Sequence, residues 1–161
     1  MKMPSIFWIF VIGIGAAVVA VGNICYLRAK QAEDKKIAAL TVWNTLGGEL
    51  QSNSDLCKEM KRLLSSTPQQ IPMVPFETGA WETVSSGNLI VSLDGDTQQK
   101  LIKAYSLINR AKNYQESILD RSIGIASALS SSGEAKTKFL EMLRDVLNQL
   151  GPILDSLVLK K

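Results

Sequence analysis

The sequence predicts an all-α protein: one N-terminal transmembrane helix followed by an antiparallel bundle of three long helices plus a short helix. Three observations predict it. No charged side chain occurs between Ser5 and Arg28. Beyond that run, apolar residues recur at alternating spacings of four and three, the signature of a helical stripe. The periodic stretches are separated by a proline-bearing segment and a serine cluster, both helix punctuation.

The run at residues 6–25 is apolar apart from small glycines and Asn23. Twenty residues at about 1.5 Å of rise each span roughly 30 Å, the thickness of a bilayer's hydrocarbon core. Trp8 and Tyr26 stand where interfacial aromatics anchor such a helix. The near flank offers Lys2 and the α-amino group, the far flank Arg28, Lys30, Lys35 and Lys36. The positive-inside rule therefore expects the N-terminus outside and the C-terminal domain in the cytoplasm. The rival reading is a cleavable signal peptide, with Lys2 as its charged region and Val18-Val19-Ala20 or Ala20-Val21-Gly22 at the cleavage site. That reading leaves an exported domain, but the apolar run is longer than the usual signal core.

The domain reading is a tail at residues 1–5, the transmembrane helix at 6–27, a juxtamembrane helix at 28–66, a proline-containing connector at 67–79 and the rest of the bundle at 80–161. Residues 28–161 form one soluble domain, and its first helix can run on from the membrane segment. In that helix Ala39, Trp43, Leu46, Leu50, Asn53, Cys57, Met60 and Leu64 keep a heptad register, as in a coiled coil. Ile37, Leu40 and Leu63 widen the stripe. Gly47 and Gly48 interrupt it at about 1 kcal/mol each relative to alanine, which makes them a candidate hinge.

Pro68, Pro72 and Pro75 end the helix and hold the connector extended. Thr78 or Gly79 caps a short helix carrying Trp81, and residues 89–93 read as a helical turn or as half of a hairpin. Asp96 with Gln99 forms a capping box for the second long helix. Its core face is read as Leu101, Tyr105, Ile108, Leu119, Ala126 and Leu129. Ser131 with Glu134 caps the third, where Phe139, Leu143, Val146, Leu150, Ile153 and Leu157 repeat at spacings of four and three. Gly151-Pro152 is expected to kink or break that helix.

The chemistry is defined largely by what is missing. The chain has no histidine, which removes Ser-His-Asp and Cys-His nucleophile systems, the HExxH zinc site and helical Glu-x-x-His metal motifs. No phosphate-binding glycine loop is present. Asp94-Gly95-Asp96 fails as a calcium loop, since Gln99 and Tyr105 occupy the positions that need glycine and glutamate. No catalytic residue, metal ligand or cofactor is assigned, and the chain reads as a non-enzyme. Its 18 Lys+Arg and 15 Asp+Glu are interleaved, so no basic stripe suggests nucleic acid. The two cysteines cannot build a disulfide framework, and Cys57 reads as a small buried hydrophobe.

Two constellations exceed background. Glu49 and Asn53 put a carboxylate and an amide one turn apart beside the glycine pair, and Asn53 is suited to fixing register across a helix contact. Trp81 and Glu82 follow the proline segment and are suited to docking it on the bundle. A structural role is the reading for both, because buried polar groups usually serve packing.

The succession Leu46-x-x-Glu49-Leu50-x-x-Asn53, a proline-bearing connector, Thr78-x-Ala80-Trp81-Glu82, Ser86-Gly87-Asn88-Leu89 and Leu101-x-x-x-Tyr105-x-x-Ile108-Asn109 resembles a group of small prokaryotic proteins. These are single-pass, membrane-anchored helical proteins of uncharacterised function. The likeness spans residues 37–115, with the Gly47-Gly48 and Asp94-Gly95 steps departing from it. It implies the architecture and supplies no catalytic residue.

The functional expectation is a membrane-tethered scaffold, adaptor or regulatory subunit acting through helix–helix contacts. Its partners are the lipid bilayer and either a protein partner or a second copy, with no nucleic acid. A membrane-anchored sensor or signalling module is the alternative, and an enzyme working with carboxylates alone is a third reading.

Overall fold

The computed structural model describes the backbone of residues 5–66, 75–124 and 132–160, and the side chains among them except those of residues 5–12, 120–124 and 132–136. The elements are α1 (Ser5–Ser66), α2 (Gly79–Ser86), a 3₁₀ turn (Leu89–Ser92), α3 (Gly95–Gly124) and α4 (Ser132–Val158). No strand occurs among the described residues, so residues 80–93 are helical and the hairpin is excluded. The chain divides into two units, Met1–Ala38 and Ala39–Lys161.

In the first unit every described side chain from Gly13 to Ile37 is exposed. That includes Ile14, Val18, Val19, Val21, Ile24 and Leu27, each at least half exposed. Ile37, expected to widen the buried stripe, is exposed too. Among the described residues no helix is long and apolar enough to cross a membrane. Residues 6–12 of the apolar run lie outside the described side chains, as do Trp8 and Lys2.

The second unit is a helical bundle, and the order of its contacts sets the helix directions. Tyr105 meets Glu49 and Gln115 meets Met60, so α1 and α3 advance together. Arg144 meets Leu64, Cys57 meets Leu147 and Ser54 meets Asp155, so α4 runs against α1. Lys160 meets Thr97 and Phe139 meets Tyr114, so it also runs against α3. The expected antiparallel bundle is corrected accordingly: α1 and α3 are parallel, and only α4 is antiparallel to both. The reason is the segment before α3. Glu77 lies against Asn53 and Ala80 against Glu49, so the chain travels back along α1 before α3 begins.

Burial follows the heptad stripes. On α1 the buried positions include Leu46, Asn53 and Met60 interleaved with Leu50, Cys57 and Leu64, and beside them Val42, Glu49 and Ser54. Trp43 and Ala39 are half-buried and Leu40 is exposed. On α3, Leu101, Ile108 and Gln115 alternate with Ala104, Ala111 and Ile118. A seven-residue repeat keeps that seam turned to its neighbours. Leu119 falls one position beyond it and is 40% exposed, correcting its assignment to the core. Ala126 and Leu129 lie outside the described residues. On α4, Leu143, Leu150 and Leu157 alternate with Leu147 and Leu154, all fully buried. Phe139, Ile153 and Val158 flank that seam half-buried.

Helix termini differ from expectation in instructive ways. Asp94, not Asp96, caps α3: its carboxylate accepts from the Thr97 N–H at 2.9 Å and the Thr97 hydroxyl at 2.7 Å. Those bonds hold the Asp94 carboxyl below its ordinary range. Asp96 sits in the first turn, paired with Lys100 and Lys160. The Ser131 cap lies outside the described residues. α4 continues unbroken through Pro152, which is exposed, so the amide bond it lacks faces solvent. At Gly151 a Cβ would lie 3.2 Å from Lys61 Nζ, the end of a flexible side chain, and in ordinary contact with Cys57 Sγ at 3.8 Å. Cys57 is buried, its thiol pushed up to about 11 by desolvation, and its S–H points at the Leu147 carbonyl.

Leu143→Ala is expected to lower unfolding stability by roughly 2–5 kcal/mol, because its cavity opens in a fully buried layer. Leu119→Ala should change it by less than about 0.5 kcal/mol. Urea denaturation of both variants checks the pair, and similar losses would mean the α3 face is misassigned.

Candidate functional site

The polar centre of the bundle is built on α1 by Glu49 and Asn53, one helical turn apart and both buried. Asn53 clamps a single residue of the returning chain. Its Nδ2 donates to the Glu77 carbonyl at 2.8 Å, and its Oδ1 accepts from the Glu77 N–H at 2.9 Å. Ser52 adds a hydroxyl bond to the Glu77 carboxylate at the surface. The amide thus reads main chain, where the sequence suggested a register contact between helices.

Glu49 acts on the next few residues. Its Oε2 accepts from the Ala80 N–H at 2.7 Å, and its Oε1 accepts from the Trp81 N–H at 3.2 Å. These are orphan donors of the first turn of α2. Thr78 occupies the N-cap position but its side chain makes no capping bond. A carboxylate from another helix therefore does what a local Ser, Thr or Asp normally does, and it sits at the positive end of the α2 dipole. Tyr105 on α3 donates its hydroxyl to the same Oε1 at 2.5 Å. Burial, then the bond to Glu49, pushes the Tyr105 phenol well above its ordinary range, so it stays protonated and serves as donor. The Trp81 ring stacks on Tyr105, centroids 4.5 Å apart and planes 8° from parallel.

Of the six residues singled out, the structure brings Glu49, Asn53 and Trp81 together. Glu82 stands apart: it is exposed, and its carboxylate accepts a local bond from the Thr78 hydroxyl. Gly47 and Gly48 are helical, and α1 runs through them without a break. They line an open cleft of about 440 Å³ together with Trp43, Leu50, Leu157 and Val158. Sequence reasoning placed Tyr105 in the core but missed its hydroxyl. The available signal was that a buried tyrosine needs a partner for its O–H. The Ser54–Asp155–Lys58 cluster linking α1 to α4 was also missed, with bonds of 2.8 and 2.9 Å.

Glu49 has three donors converged on it, Asn53 is bonded at both ends, and no buried side-chain polar atom among the described residues lacks a partner. No cluster of potential metal ligands occurs among the described residues. Compared with family models, curated proteins and solved structures, the chain matches none.

Glu49→Ala is expected to destabilise the protein by roughly 3 kcal/mol, because it strands two amides and a hydroxyl. Asn53→Ala should cost roughly 1–3 kcal/mol for its two lost main-chain bonds. Glu82→Ala should stay within about 0.5 kcal/mol. Denaturant titrations of the three would refute the assignment if Glu82 proved as costly as Glu49.

Proposed function

We propose that the chain is a non-enzymatic, membrane-tethered helical module: a scaffold, adaptor or regulatory subunit working through helix–helix contacts. One observation carries the reading. From Gly13 to Leu27, α1 carries no charge, is apolar apart from Asn23 and small glycines, and has every side chain exposed. A helix that is hydrophobic all round is stable only when buried in protein or lipid. Residues 6–12 add seven more uncharged positions to that run, giving a length that fits a bilayer.

The resemblance to small membrane-anchored prokaryotic proteins agrees with this reading and contributes no activity. The basic residues after the run favour a cytoplasmic bundle with the N-terminus outside. For the bundle itself, a protein partner or second copy is favoured by the cleft beside Gly47 and Gly48 and by Leu40, 62% exposed beside half-buried Trp43. Tethering both partners to one bilayer would raise their effective concentration.

The test is fractionation with topology mapping. The full chain should stay in membranes through alkaline carbonate washing, and a reporter fused after Lys161 should behave as cytoplasmic. Release of the intact chain into the wash would overturn the tether; a reporter active only outside would overturn the orientation.

A further inference from the structure

Residues 75–93 are attached to the bundle differently from the long helices. Their buried apolar side chains are Phe76, Val84 and Leu93, spread along nineteen residues, with Ala80, Trp81, Leu89 and Ile90 partly covered. The long helices instead bury a side chain at nearly every turn. The segment is pinned at one end by main-chain bonds to two α1 side chains: Glu77 N–H and carbonyl on Asn53, Ala80 and Trp81 N–H on Glu49. At its far end Asn88 takes a left-handed conformation, φ 53°, that breaks α2 from the 3₁₀ turn.

We propose that residues 75–93 form a strap that opens as a unit while α1, α3 and α4 stay packed, with Glu49 and Asn53 as its latch. Regions with few buried apolar contacts, held by polar bonds, open at lower free energy than the core around them. Opening would unstack Trp81 from Tyr105 and bare the Tyr105 ring and the Glu49 carboxyl, which the closed strap covers. Because the latch binds main chain, its grip does not depend on the strap's side chains. The device stands whether or not the apolar run is embedded in lipid.

Hydrogen exchange on the full chain in detergent micelles tests it, since the amides of Glu77, Ala80 and Trp81 are themselves held by the latch. In the wild type these three should exchange at one common rate, about tenfold or more faster than the amides of Ile108, Leu147 and Leu150. Asn53→Ala should accelerate the strap amides, whereas Leu143→Ala, which weakens the core and not the latch, should accelerate those of Ile108, Leu147 and Leu150 and leave the strap amides unchanged. Strap and core amides exchanging in step would overturn the proposal, as would a Leu143→Ala variant that accelerates both alike.

Discussion

Burying the Glu49 carboxyl is tolerable only because three donors converge on it, one hydroxyl from α3 and two amides from α2. A buried carboxyl without partners costs several kcal/mol, whereas one that accepts this many bonds orders every group that supplies them. The consequence is geometric. α1, α2 and α3 meet at one point, Trp81 is set flat against Tyr105, and α2 acquires the cap that its own sequence lacks.

This convergence also accounts for the topology. With α1 and α3 parallel, the chain between them must return the length of the bundle, and returning main chain carries amides and carbonyls that cannot be left dry. Asn53 satisfies both groups of Glu77, and Glu49 satisfies the next free donors three and four residues on. Their spacing of one helical turn on α1 matches the step from an extended residue to the start of α2. α4 then closes the other side through its leucine seam.

The heptad stripes were legible in the sequence because helix packing repeats every seven residues, and Leu46 through Leu64 bury as that spacing requires. Direction was not legible: a connection as long as that between Ser66 and Gly95 permits either a reversal or a return, and only short links force neighbours antiparallel. Asp94 and Asp96 flank one glycine, so composition could not choose between them; Thr97, offering both N–H and hydroxyl, selects Asp94. Glu49 and Asn53 were visible as polar residues on or beside an apolar stripe. Their partners were hidden because those partners are mostly backbone, which every sequence supplies equally. Pro152 does not break α4, and its ring stands on the exposed face of the helix.

The polar centre of the helical unit is engaged in holding its own segments, and among the described residues no buried side-chain polar atom lacks a partner. The account rests on Glu49 and Tyr105 acting together across two helices. A double-mutant cycle of Glu49→Gln and Tyr105→Phe, read by chemical denaturation, tests that coupling directly. The account predicts an interaction energy of roughly 1–3 kcal/mol between the two sites. Additivity within about 0.3 kcal/mol would contradict it.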